Sequence, residues 1–224
     1  MAAHDRLIVA AIVVAAGSGT RLGAHVPKAF VEVGGRTLLE HAIEHLAAHP
    51  QVGPVVVAAP PGECERAADL VPSVTVVPGG ATRQLSVALA LAAIAPEADL
   101  VLVHDAARAF VPVEVIDRVI AALDSADGAV PARPVSDTIR TVDASGELGS
   151  LIDRSGLLAM QTPQGFRRDV LVKAHAAAEG SDATDDVALV EAIGGHVVAV
   201  PGDERAFKVT VPLDLALAEA LLNG

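Results

Sequence analysis

The strongest constraint on this chain is a repeated alternation of short aliphatic runs with amphipathic stretches. "LIVAAIVVA" (7–15), "VVVAA" (55–59), "VTVV" (74–77), "DLVLV" (99–103), "GAVPA" (128–132) and "HVVAV" (196–200) read as buried strands. Between them, "RTLLEHAIEHLAAH" (36–49) sets Leu38, Leu39, Ala42, Ile43 and Leu46 on one helical face. The stretches 82–95, 112–124 and 167–179 read the same way. The chain end predicts another helix, with Thr210 as candidate N-cap, Pro212 in the first turn and Gly224 past the last. Strands alternating with helices predict an α/β, Rossmann-like fold, a mostly parallel sheet with helices on both faces. The core is confined to Ala, Val, Leu and Ile, because aromatics make up only 2% and neither Trp nor Tyr occurs. The 224 residues suit a single domain over 1–224.

One segment departs from the rhythm. Residues 136–157 are polar, β-prone and centred on Gly146, which predicts a protruding β-arm of the kind that forms half of a dimer contact.

The N-terminus imitates a secretion signal, with Arg6 ahead of "LIVAAIVVAA". Asp5 cancels that charge, and cleavage after the alanines would remove the first strand, so a buried strand and a cytoplasmic protein are expected. A single cysteine, Cys64, excludes an internal disulfide and a cysteine-based zinc site. No apolar run reaches the roughly 20 residues of a membrane span. The net charge of −12 argues against nucleic-acid and anionic-membrane partners. It also makes each well-placed Arg or Lys informative, since an anionic substrate needs a local cluster of them.

Three clusters follow strand runs, where open α/β sheets place their ligands. In "VVAAGSGTRLG" (13–23), Gly17 and Gly19 begin a dinucleotide fingerprint, but its third position is Leu22, with glycine only at Gly23. Glu40 meets the expected acidic position only loosely, and no G-K-[ST] follows to make a P-loop. What remains is a glycine turn with open amides, Arg21 beside it and Lys28 seven residues on. These are groups suited to a polyanion, with a solvated charge pair as the plain alternative. "GGATRQLSV" (79–87) places Gly79 and Gly80 ahead of a helix start, which suits a phosphate, a base edge or simple capping by Thr82. "VHDAARAFV" (103–111) puts His104, Asp105 and Arg108 at a strand end, Asp105 fit for hydroxyls or a metal and His104 for packing. Thr138, Arg154, "TPQ" (162–164) and Lys208 are weak signals singly.

Taken in order, these motifs, with "PVSDTIR", "DRSGLLAMQTPQGF", "TDDVALVE" and "FKVTVPLDLALAEALL", resemble the 2-C-methyl-D-erythritol 4-phosphate cytidylyltransferases of the non-mevalonate isoprenoid pathway. The resemblance runs from about residue 8 to 222; its first and third motifs are shared with cytidylyltransferases of pentitol phosphates. It implies transfer of a cytidylyl group from CTP to a sugar-alcohol phosphate, with release of pyrophosphate. Arg21 and Lys28 would neutralise the reacting phosphates, and the backbone of Ala15, Ala16, Gly17, Ser18, Gly19 and Thr20 would wrap the triphosphate. Gly80 and Ser86 would recognise cytosine, with Ala106 and Ala107 lining the nucleotide. Asp105, Arg108 and Thr138 would face the sugar alcohol, and Lys208 would draw the two phosphates together. Arg154 would reach the substrate of the neighbouring subunit in a homodimer joined by the arms. Mg²⁺ would be the cofactor, bridging phosphate oxygens rather than sitting in a protein cage.

The sequence departs from the family at Ala109, where proline is usual, at Leu158, where an aromatic is common, and at Ala81 in the base loop. "TDDVALVEAIGG" (184–195) reads as structural, with Thr184 capping a helix, Asp185 and Asp186 at its positive end and Gly194 stopping it. The rivals are a ribitol-phosphate or other alditol-phosphate cytidylyltransferase, a nucleotide-binding module without turnover, and a dinucleotide-dependent oxidoreductase.

Overall fold

The structure is a computed structural model that describes residues 7–17, 19, 22, 26–178 and 185–223. Its centre is strand β1 (Val9–Val14), flanked by β4 (Val52–Ala59) and β6 (Leu100–Asp105), both parallel to it. A strand enclosed in this way has no solvent face, which is why "VAAIVV" lacks polar alternation. Beyond β4 lies β5 (Thr75–Pro78), also parallel.

Both faces of the sheet are covered. Val9, Ala11 and Val13 join one core with helices α1 (Leu38–Ala47) and α4 (Val113–Ala122), through Leu39, Ile43, Val115 and Val119. Ala10 and Ile12 point the other way, toward α3 (Arg83–Ala92), α5 (Arg168–Ala177) and α6 (Asp186–Ala192). Helix α1 begins with a capping box in which Thr37 and Glu40 satisfy each other's backbone N–H groups. Glu40, a loose match to a ribose-binding acid, is thereby accounted for as a cap.

The other half of the sheet differs from a simple βαβ series. Among the described residues the main sheet has eight strands. β11 (Gln164–Arg167) runs antiparallel between β6 and β7 (Gly128–Pro134), while β10 (Leu158–Met160) pairs antiparallel and β12 (Val197–Pro201) parallel with β7. The carboxyl ends of β1, β4, β5, β6, β7 and β12 therefore all lie at one edge of the sheet. Outside the sheet lie a short helix, α2 (Cys64–Leu70), a 3-10 turn at Lys28–Phe30, and a hairpin of two-residue strands, β2 (Glu32–Val33) with β3 (Arg36–Thr37).

The arm is a separate antiparallel sheet of β8 (Ile139–Val142) and β9 (Leu148–Ile152). Gly146 turns it with a φ of +88°.

Two capping expectations are corrected. The cap of α6 is Asp185, whose side chain accepts from the Ala188 amide; Thr184 lies outside the described residues. At the last helix, α7 (Pro212–Asn223), Thr210 is no cap: its hydroxyl donates to the carbonyl of Lys208. The carboxylate of Asp214 instead reaches back to the amides of Thr210 and Val211, at 2.6 and 2.8 Å. Gly194 does end α6, at φ +84°. Among the described residues no helix is long and apolar enough to cross a membrane.

Candidate active site

Three loops leave the carboxyl ends of β1, β5 and β6, and their first residues are held to the ends of neighbouring strands by backbone hydrogen bonds. The amide of Ala15 donates to Ala58, that of Gly79 to Ala59, and that of Ala106 to Val14, at 2.9, 2.7 and 3.1 Å. Gly79 is required by this close approach: a Cβ there would stand 2.6 Å from the Cβ of Ala16. Gly19 plays the same part on the other side, at φ +68° and with room for no Cβ beside Lys28. The loops enclose a cavity of about 440 Å³ lined by Ala15, Ala16, Gly17, Lys28, Gly80, Ala81, Arg83, Ser86, Asp105, Ala106, Ala107 and Lys208, among others.

One wall is polar and neutral. The hydroxyl of Ser86 accepts from the Gly80 amide at 3.0 Å and donates to the Thr82 carbonyl at 2.9 Å. Thr82 caps α3 through the Leu85 amide. The loop is thus held by side chains from the first turn of its own helix, its free edges turned to the cavity.

The floor is charged. Lys208 Nζ donates to Oδ2 of Asp105 at 2.7 Å, and Arg83 Nε lies 3.6 Å from Oδ1. Burial pushes the Asp105 carboxyl upward, but the charges of Lys208 and Arg83 outweigh it and hold the group at about 2. Asp105 is therefore a carboxylate at any working pH. Arg83 also donates through Nη1 to Asp186 at 2.6 Å. Among the described residues, Asp105 is the only carboxylate in the cavity lining.

A neutral relay fixes the loop after β6. The Asp105 amide donates to Thr162 Oγ1 at 3.1 Å, and Thr162 lies 2.9 Å from Nδ1 of His104. Nε2 of His104 lies 3.2 Å from the carbonyl of Arg108, which can only accept. The proton therefore sits on Nε2, and Nδ1 accepts from the threonine hydroxyl. Complete burial pushes the imidazole down to about 4, which keeps it neutral.

A family profile, IspD: 2-C-methyl-D-erythritol 4-phosphate cytidylyltransferase, matches residues 9–224. This chain belongs to that family. As a member of this cytidylyltransferase family it is a nucleotidyltransferase. It is 52% identical over 222 residues to 2-C-methyl-D-erythritol 4-phosphate cytidylyltransferase of Saccharopolyspora erythraea, covering 96% of this chain and 99% of the relative. The corresponding Rhodococcus opacus protein is 49% identical over 223 residues, covering 99% and 98%. The crystal structure of the Thermus thermophilus cytidylyltransferase superposes with a TM-score of 0.81 at 40% identity, covering 96% of this chain and 98% of that one.

Of the residues expected from sequence, Ala15, Ala16, Gly17, Lys28, Gly80, Ser86, Asp105, Ala106, Ala107 and Lys208 gather around the one cavity. Gly19 adjoins Lys28, while Ser18, Thr20 and Arg21 lie outside the described residues. Three residues do not line the cavity. Arg108 turns its guanidinium to the carbonyls of Ala206 and Met160, at 2.8 and 3.1 Å, where it ties β10 to the loop before Lys208. Thr138 and Arg154 are exposed, on the arm segment and in a short 3-10 turn just after β9. Arg83 is the addition the geometry makes, and Thr162, the first residue of the weak "TPQ" signal, gains a defined contact beneath Asp105. Arg83 had a signal, an arginine opening a helix directly after a glycine pair. Of the departures from the family pattern, Ala81 presents little but backbone to the cavity, Ala109 is fully buried beside Phe110, and Leu158 is exposed on β10.

Proposed function

We propose that this chain transfers the cytidylyl group of CTP to 2-C-methyl-D-erythritol 4-phosphate, giving 4-diphosphocytidyl-2-C-methyl-D-erythritol and pyrophosphate, and that the cavity at the carboxyl ends of β1, β5 and β6 is where it does so. A phosphate oxygen of the sugar alcohol attacks the α-phosphorus; the bond to the oxygen bridging toward the β-phosphate breaks, and pyrophosphate leaves. Such a step needs positioning and charge neutralisation rather than a protein nucleophile.

The observation that carries this reading is the meeting, in one cavity, of a neutral polar loop with two lysines from distant parts of the chain. Gly80 and Ser86 offer backbone edges and a hydroxyl suited to a base, and Ala106 and Ala107 are small enough for a nucleotide to lie against. Lys28 and Lys208 supply charge to the same cavity, with the backbone of Ala15, Ala16 and Gly17 in its lining and Gly19 beside Lys28. Ser18, Thr20 and Arg21 are assigned to the same triphosphate loop from the sequence alone. Asp105 is assigned to the sugar alcohol, its ionised oxygens able to accept from hydroxyls.

A divalent cation fits this site in one way. Among the described residues no cluster of three potential protein ligands exists, and the cavity offers Asp105 alone. Mg²⁺ would be held mainly by the phosphates of CTP, where it would offset their charge.

Arg154 and Thr138 are assigned to the partner's site in a homodimer, since neither lines the cavity of its own chain. The arm supports this with exposed apolar side chains: Val142, Leu148 and Leu151 are each more than 60% accessible. The alternative of an alditol-phosphate substrate is separated by one assay. Pyrophosphate release from CTP and Mg²⁺ should be fast with methylerythritol 4-phosphate and slow with ribitol 5-phosphate; no release with the former would overturn the reading.

A further inference from the structure

Arg83, the first residue of α3, reaches two carboxylates with different nitrogens of one guanidinium. Nη1 donates to Asp186 Oδ2 at 2.6 Å, while Nε lies 3.6 Å from Asp105 Oδ1. The second oxygen of each carboxylate is also engaged: Asp105 Oδ2 holds Lys208 at 2.7 Å, and Asp186 Oδ1 meets His175 Nε2 at 2.9 Å. Five side chains thus form a line from the loop after β12, across the cavity floor, to α5.

The far end of this line is hard to explain as helix chemistry. Asp185 already caps α6, and Asp186 stands one residue on, only 1% exposed and outside the cavity lining. A carboxylate buried that far is costly unless paired, and breaking such a pair is costlier still. The two contacts of Arg83 are also unequal. The tight one points away from the cavity and the loose one toward it, so Arg83 is anchored on Asp186 and leans on Asp105. Arginine can do this because it presents separate nitrogens to the two carboxylates, where lysine has a single nitrogen.

We propose that Asp186 is a positioning residue for cytidylyl transfer: it holds the Arg83 fork back from Asp105, so that Asp105 remains the partner of Lys208. His175 closes the line by orienting Asp186. Without the Asp186 charge, Arg83 is free to close on Asp105 and compete with Lys208 for it, which displaces the ammonium assigned to the reacting phosphates. The base wall of Gly80 and Ser86 is unaffected, so nucleotide affinity is preserved.

The proposal rests on reading this cavity as the transfer site, and its test keeps the two apart. Asp186→Asn preserves size and loses charge. Pyrophosphate release from CTP and methylerythritol 4-phosphate should show kcat reduced at least about tenfold, with the Kd of CTP by calorimetry within about threefold. In an Asp105→Asn background the same change should cost less than about twofold, because the route is already cut. His175→Ala, which removes the group that orients Asp186, should lower kcat in the same direction, and it serves in place of Asp186→Asn if the latter does not fold. An unchanged kcat in either folded variant, or fully additive losses in the double variant, overturns the proposal alone. A wild-type protein that releases no pyrophosphate overturns the functional reading, and the proposal with it.

Discussion

Lys208 and Asp105, 103 positions apart in the chain, meet through a 2.7 Å hydrogen bond at the cavity floor. The contact joins the segment after β12 to the carboxyl end of β6, and so closes the cavity across the sheet. It also sets the electrostatics of the floor. Asp105 neutralises part of the cation's charge and fixes the position of its ammonium.

Lys208→Ala should therefore damage turnover far more than folding. Lys208 is 43% exposed, so its loss leaves no cavity in the core. Loss of a cation aimed at developing phosphate charge should lower kcat by roughly 10²- to 10³-fold. Steady-state pyrophosphate release and a thermal melt by circular dichroism check the two halves. A rise in KM with kcat preserved would show that Lys208 binds substrate without acting on the transition state.

Ser86→Ala should act in the opposite way. The hydroxyl is the acceptor for the Gly80 amide, and without it the base loop loses its tether to α3. A lost hydrogen bond of this kind is worth about 1 kcal/mol, so KM for CTP should rise about five- to tenfold with kcat within about twofold. An unchanged KM would remove Ser86 from the nucleotide site.

Gly79→Ala tests the close approach of the loops after β1 and β5. The new methyl would meet the Ala16 Cβ at 2.6 Å and the Ala59 carbonyl oxygen at 3.0 Å, both set by backbone rather than by a side chain that can swing away. A loss of about 1–3 kcal/mol in urea unfolding is expected, with weaker CTP binding. Gly156→Ala, where nothing lies within 4 Å, is the control and should stay within about 0.5 kcal/mol of the parent. Equal stability of the two variants would mean that the loops move apart readily.

Much of this was legible in the sequence, for reasons that differ by residue. The strands β1 and β6 are enclosed between parallel neighbours, so their apolar runs are uninterrupted and the loops after them are easy to locate. The β8–β9 hairpin was legible because Gly146 sits within a polar, β-prone stretch. β11 was not: its four residues, "QGFR", carry one buried aromatic, Phe166, and no alternation. The cap of α6 was misplaced by one residue because Thr184, Asp185 and Asp186 all suit the position chemically, and only backbone geometry selects Asp185. The Arg83–Asp186 pair spans 103 positions and has no local pattern at all.

Acid should weaken the fold in two pH windows that can be assigned to single groups. His104 falls from 6.5 to about 4 on folding, so the folded state favours its neutral form. Its contribution is therefore full above pH 6.5 and is lost as the pH falls toward 4, by about 3 kcal/mol in total. Asp105, lowered from 3.8 to about 2, is charged in the fold, and its contribution is lost in a separate window as the pH falls from 3.8 toward 2. Urea midpoints from pH 8 to 4 should decline for the parent and flatten for His104→Asn. Equal slopes would mean that the imidazole is not the titrating group.

The arms offer a test in which two inactive proteins restore each other. Lys28→Ala disables the cavity of its own chain, while Arg154→Ala alters an exposed residue that does not line that cavity. If Arg154 completes the site of the partner, a mixed dimer carries one site with both changes and one site with neither. Equal mixing after reversible dissociation makes half of the dimers mixed, so about a quarter of the parent activity should return under two-fold symmetry. Leu148→Asp, which puts a charge on the exposed apolar side of the arm, should monomerise the chain in light scattering and abolish the recovery. If Arg154 served its own chain, every site in the mixture would lack either Lys28 or Arg154 and the mixture would stay inactive. That result would return the arm to a purely structural role.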